Sequence, residues 1–163
     1  MIYNGLVPDL TLKETKSLKV VLFNNGHWQF PEQMGGDEYV GFIYVIRDKY
    51  LQRCYLGKKT YRGSGKLNKG VESDWKRYKS SSNLLKDMFK ERPKEEFEFI
   101  CIEQYRTKGT LSYSETWSLC AVEAPTSKVF YNTLIEKVSW PVKEAITVRH
   151  KERLAAAINW ETL

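Results

Sequence analysis

A glutamate, two tyrosines and a cluster of lysines and arginines are the residues of this 163-residue chain whose types and spacing suit work on a phosphodiester. Glu115 falls four residues after Leu111 and four before Leu119 in a stretch that reads as helix, so it interrupts an apolar stripe. A carboxylate so placed needs a metal, a cation or hydrogen bonds. Mg2+ takes one or two carboxylates and keeps several waters, which leaves a position for a phosphate oxygen; pairing with a lysine is the plainer role. Tyr44 closes an FIY tripeptide and Tyr55 opens a YLG tripeptide, eleven residues later. A phenol beside a metal-bound water and several lysines could be drawn down from its usual value of about 10. That makes Tyr44 a candidate general base and Tyr55 a group to position the water or the phosphate. Taken singly, strand tyrosines are ordinary core residues.

The net charge of +6 is concentrated. Between Lys58 and Lys79 eight basic residues face two acids, and the rest of the chain balances. A neutral body with one basic segment fits a polyanion, and a solvated loop is the alternative. Lys58, Arg62, Lys66, Lys69, Lys76, Lys79 and Ser81 are the candidate phosphate contacts, while Trp75, Tyr61 and Tyr78 interleave with them as candidate stacking groups. Trp75 serves equally well as an anchor for its own segment. Arg77, or Lys59 at a strand end, would contact the reacting phosphate and stabilise the transition state, with a simple backbone clamp the alternative for both. Asn132 reads either as a catalytic-site residue or as a loop-fixing hydrogen bonder. The GSGK at Gly63–Lys66 lacks the earlier glycine and the Ser/Thr of a triphosphate loop, which excludes that class. His27 and His150 are too few for a zinc centre and read as surface residues. Cys54, Cys101 and Cys120 have no CxxC spacing and read as core filler.

The elements that must position these groups follow from periodicity. Tyr39–Ile46 (YVGFIYVI) is apolar throughout, as a strand buried on both faces is, and Arg53–Gly57 returns as its antiparallel partner. Phe97–Gln104 is a third strand, with Phe97, Phe99 and Cys101 on one face and Ile100 and Ile102 on the other. Asp74–Tyr78, Asn83–Lys90, Leu111–Ala124 and Pro141–Ile158 read as helical, the last with proline in its first turn. Lys19–Phe23 is a possible strand ahead of an Asn24-Asn25-Gly26 turn. The expected fold is α+β: a small antiparallel three-stranded sheet flanked by helices, with an N-terminal strand or hairpin and a C-terminal helix added. The expected division is an N-terminal extension at 1–38, a core at 39–137 and a C-terminal helix at 138–163 that packs on the core or forms a homodimer. No apolar run suits a membrane span and no signal sequence opens the chain, so the expected location is intracellular.

With FIY and YLG on neighbouring strands, a Trp-Lys-Arg patch at Trp75–Arg77, Ser114-Glu115-Thr116-Trp117 on a helix and then Tyr131-Asn132, the chain resembles the GIY-YIG nuclease family. The likeness covers roughly residues 39 to 137. The sequence departs from the pattern where Phe42 stands for the first glycine, where Lys58-Lys59 follows the second motif, and in the length of the Thr60–Glu72 interval. With those lysines and the DWKRYKSSS segment, it is most similar to the phage-encoded Seg-like, homing-type branch. The resemblance implies a divalent-metal-dependent endodeoxyribonuclease cutting double-stranded DNA with Mg2+ or Mn2+ on Glu115. Tyr44, Tyr55, Lys59, Arg77 and Asn132 would complete the site, with Arg62 the competitor of Arg77 for the family's arginine. A phage enzyme would work in the cytoplasm of a bacterial host. A nucleic-acid-binding regulator on the same fold that has lost cleavage is the alternative.

Overall fold

The computed structural model describes residues 23–160. The expected strand at Lys19–Phe23 therefore lies almost wholly outside the described residues, and Phe23 itself is not in a strand. Three antiparallel strands form the sheet: β1 (Gly41–Asp48), β2 (Arg53–Thr60) and β3 (Phe97–Tyr105), in the order β2-β1-β3. All eight residues of β1 are buried, as its unbroken apolar run demands of a central strand covered on both faces. Phe42, Tyr44 and Ile46 point into an aromatic layer containing Trp28, Trp75 and Phe99. Ile43 and Val45 point into an aliphatic layer under the helices α2 (Lys108–Ala121) and α3 (Val148–Ile158).

β3 carries a bulge opposite Ile43 and Tyr44, which leaves Ile102 unpaired in the register. The bulge shifts the alternation by one residue, so Glu103 follows Ile102 toward α3 and accepts from Arg149 at 2.8 and 2.9 Å. Gln104 then returns to the aromatic layer, where its Oε1 accepts from the Tyr61 hydroxyl at 2.5 Å. The expected alternation of Phe97, Phe99 and Cys101 against Ile100 and Ile102 holds up to that bulge.

Three helical expectations shift at their starts. Asp74–Tyr78 reduces to a single 3-10 turn, Trp75–Arg77. α2 begins three residues early, because the Thr107 side chain caps it by accepting from the Thr110 amide. The expected helix from Pro141 begins only at Val148. Residues 141–147 instead lie across the start of α2, where Thr110 Oγ1 accepts from the Lys143 and Glu144 amides, and the Thr147 side chain caps α3. Leu154 and Ala157 of α3 are buried in the aliphatic layer, so this helix packs on the core. α1 (Asn83–Glu91) is capped by Ser82.

Two polar readings are corrected. His150 is fully buried, held between the Tyr105 hydroxyl (2.8 Å) and Ser118 Oγ (2.7 Å), and burial pushes its pKa down to about 4, which keeps it neutral. Cys120 is exposed while Cys54 and Cys101 are buried. Among the described residues no helix is long and apolar enough to cross a membrane.

Candidate active site

β2 is an edge strand, and what covers its outer edge shapes the site. The segment after α2 runs alongside: the Cys54 amide donates to the Val129 carbonyl (2.7 Å) and the Tyr131 amide to the Cys54 carbonyl (2.8 Å). One step further on, a side chain replaces the backbone. The Asn132 carboxamide accepts from the Leu56 amide (2.9 Å) and donates to the Leu56 carbonyl (2.8 Å). Both halves of Asn132 are thus engaged in holding the YLG motif, and the edge opens immediately beyond it. There lies a cleft of about 290 Å3 lined by Tyr55, Ser81, Glu115, Tyr131, Asn132 and Glu136, among others.

Glu115 enters this cleft from α2 with its side chain 14% exposed. Lys58 of β2 bonds it directly and also reaches Glu136 at 3.2 Å. Burial raises the Glu115 pKa above the ordinary 4.5, outweighing the downward pull of Lys58. Lys58 is itself raised: burial works against its charge, and the two glutamates outweigh that. One flexible ammonium therefore leaves Glu115 short of positive charge. A divalent ion would fit that deficit, and Glu115 is the residue that could hold it. Among the described residues no three His, Cys, Asp or Glu side chains converge into a fuller cage.

Tyr44 and Tyr55 lie on the aromatic face of the sheet with ring centroids 6.3 Å apart. Gly57 is directly opposite Tyr44 on β2, and a Cβ there would sit 2.5 Å from the Tyr44 hydroxyl oxygen. The glycine of YLG is thus the space that the Tyr44 ring occupies. The Tyr44 hydroxyl joins a chain with Ser80 and Tyr78, and Tyr78 also bonds Ser81. Tyr44 is 1% exposed, and burial, reinforced by the neighbouring phenols Tyr78 and Tyr55, raises its pKa well above 10. In the protein alone burial dominates and the Tyr44 phenol is raised, opposite to the lowering expected beside a metal-bound water and lysines. Lys59 lies 3.9 Å above the Tyr78 ring and pairs with Asp74 at 2.6 Å.

The other expected site residues divide. Arg77, Lys66, Lys69 and Lys79 are exposed, and Ser81 is on the cleft rim. Arg62 pairs with Asp37 away from the cleft, at the start of the basic loop. Lys76 lies beside the Trp75 ring, 5.4 Å from its centroid. Trp75 and Tyr61 are each 3% exposed, so neither offers a face for a base to stack on; Trp75 is the anchor of its turn. Sequence reasoning missed Glu136 and Ser80, and read Tyr78 only as a stacking group. The serines of KSSS were the only sign of that chain, and Glu136 stood alone in an irregular segment.

Residues 26–135 match the family model described as "Putative endonuclease segE, GIY-YIG domain". No curated protein and no solved structure matches the chain. The matched span begins at Gly26, well before the first motif, and the fold explains why: Trp28 and Met34 are buried in the aromatic layer, and Gln29 bridges to Ile100 of β3. With more than half of its length matched, with FIY and YLG paired on β1 and β2, and with Glu115 and Asn132 on one cleft, the chain belongs to the GIY-YIG family, in its SegE-like branch.

Proposed function

We propose that this protein is a divalent-metal-dependent endonuclease of phage or mobile-element type that hydrolyses phosphodiester bonds in double-stranded DNA, with Glu115 as ligand to Mg2+ or Mn2+. The observation that carries this reading is Glu115: a largely buried carboxylate in an open cleft, raised in pKa although a lysine already touches it. A divalent ion held there would supply charge to a phosphate oxygen and acidify a bound water. Tyr55 lines the same cleft and is the group to orient that water or the phosphate. Tyr44, neutral and tied into the Ser80 and Tyr78 hydroxyls, acts as a hydrogen-bond donor and proton relay; it does not start as a phenolate. Lys58 and Lys59 supply positive charge at the end of β2, and Asn132 keeps that strand in register with the cleft. Arg77, exposed on its 3-10 turn, is the arginine for the phosphate, with Lys66, Lys69, Lys76 and Lys79 holding the duplex backbone.

The test is a supercoiled plasmid. Nicking or linearisation that requires Mg2+ or Mn2+ and vanishes in Glu115→Ala is the expected outcome. Cleavage that survives chelation, or that the variant retains, removes the metal role of Glu115. A second reading has one observation in its favour: Lys58 bridging Glu115 and Glu136 is also how a silent site would neutralise its acid. A regulator of that kind binds DNA with a steep salt dependence and leaves the plasmid intact.

A further inference from the structure

The basic loop after β2 is a built structure with an apolar tip. Arg62 bridges to Glu72 and Gly63 to Lys69, the Gly63 amide donates to the Val71 carbonyl (2.9 Å) and the Gly70 amide to the Gly63 carbonyl (3.0 Å). Inside, Asn68 Oδ1 accepts from the Gly65 amide at 3.0 Å, and a Cβ on Gly63 would lie 2.3 Å from the Asn68 carbonyl oxygen. The glycines therefore let the chain close on itself. At the summit Leu67 is 102% exposed, with Lys66 and Lys69 exposed on either side and no acid between Gly63 and Gly70.

An isolated exposed leucine is commonplace. A leucine raised on a hydrogen-bonded loop between lysines, in the most basic part of the chain, is a different object. We propose that Leu67 is a wedge that enters the minor groove of duplex DNA and unstacks a base step while Lys66 and Lys69 hold the flanking phosphates. Apolar side chains inserted between steps bend DNA and enlarge the wrapped surface. The charge selects the partner: a second copy of this loop would bring lysines against lysines, whereas duplex DNA offers a phosphate on each side of the groove. Placement follows from β2. Tyr55 to Thr60 spans roughly 16 Å at about 3.3 Å per residue, and the loop continues from that end, so the wedge engages DNA flanking the cleft and leaves the scissile phosphate free.

This inference rests on the nuclease reading, and its test separates the two. Permanganate reactivity of thymines in a mixed-sequence duplex, with the protein bound in the presence of a chelator, reads unstacking wherever it occurs. The native protein is expected to create reactive thymines. Leu67→Ser is expected to abolish them and to weaken duplex binding roughly tenfold, the scale of one leucine returned to water, with the salt slope unchanged because no phosphate contact is lost. Leu67 is fully exposed and outside the core, so the variant folds. Asn68→Ala, which unties the loop but keeps the leucine, is expected to lose most of the reactivity too. A native protein that binds and cuts DNA without exposing any thymine overturns the wedge alone, as does a Leu67→Ser variant that behaves like the native protein. A protein that neither binds nor cuts overturns both readings. Concentration-dependent self-association lost in Leu67→Ser, without change in DNA binding, would assign the tip to a second copy.

Discussion

Two carboxylates, Asp48 at the end of β1 and Glu115 on α2, are both withdrawn from solvent, yet the fold treats them in opposite ways. Asp48 is 1% exposed and over-provided: Arg92 grips it in a fork at 2.6 and 2.7 Å, the Tyr131 hydroxyl donates at 2.8 Å, and the amides of Tyr50 and Leu51 complete it. Burial alone would raise its pKa, but Arg92, the Leu51 amide and Tyr131 together hold it below the ordinary value. Glu115, less buried, has one principal cation on a flexible stem and is raised. The lesson is that a saturated acid is part of the scaffold, while an unsaturated one in a cleft is available for a ligand.

The sharpest way to break this comparison is Glu115→Gln. Cleavage is expected to fall about a thousandfold or more, the scale on which a single group stabilising developing charge is felt. Thermal stability is expected to hold or rise, because burial disfavours this charge by more than Lys58 offsets. A large drop in melting temperature would mean that Glu115 is scaffold after all. Asp48→Asn should do the reverse. Arg92 keeps Glu96 as a partner, but breaking its fork to the buried Asp48 costs about 3 kcal/mol, the low end for losing a buried pair. For a domain of this size that lowers the melting midpoint by about 6–12 °C, while the turnover of the molecules still folded is unchanged.

Acidification separates the two acids in time. Asp48, with its folded pKa depressed, contributes stability that is present above its unfolded pKa and lost only as the pH falls through the folded one. Glu115, with its folded pKa raised, weakens the fold while charged and takes up its proton at a pH above that of an ordinary glutamate. Lowering the pH should therefore abolish Mn2+ binding, followed by calorimetry, before circular dichroism records any unfolding. Simultaneous loss of both would erase the distinction.

How much of this was legible in the sequence differs between the two acids as well. Periodicity gave β1, its double burial and the place of Glu115 in an apolar stripe, because those are local patterns. Asp48 went unnoticed, since its partner Arg92 and its donor Tyr131 are 44 and 83 residues away and nothing local marks such a pairing. The same reason hid His150, which needs α2 and β3 around it to be buried. Trp75 and Tyr61 looked available for stacking because their neighbours are lysines, but large aromatics are inserted into the core by tertiary packing whatever the charge beside them. The start of α3 was lost to tertiary contacts, with residues 141–147 laid across the start of α2 and Thr110 accepting from the Lys143 and Glu144 amides.

Gly57 connects the cleft to the sheet and gives a smaller effect. Gly57→Ala forces its Cβ against the Tyr44 hydroxyl, 2.5 Å away, so the ring must move. Overpacking of this kind costs about 1–3 kcal/mol, and the displaced hydroxyl should lower the single-turnover cleavage rate more than it weakens DNA binding. Equal losses in rate and binding would assign Tyr44 to packing alone.

The smallest expected change is the most instructive, since it exchanges the partners that distinguish the two acids. Arg92 offers Asp48 a planar fork with fixed geometry, whereas Lys58 offers Glu115 a point charge that can swing away. Lys58→Met removes a competitor from the carboxylate, and Mn2+ affinity measured above the Glu115 pKa should rise a few-fold, roughly the value of one partly exposed charge pair. Lys58→Arg should act in the opposite direction, because a bidentate guanidinium would saturate Glu115 as Asp48 is saturated, lowering Mn2+ affinity and raising the melting temperature together. If both substitutions weaken metal binding alike, Lys58 orients the carboxylate for the ion and does not compete with it, and the contrast between a rigid and a yielding partner no longer explains why one acid is free to take a ligand.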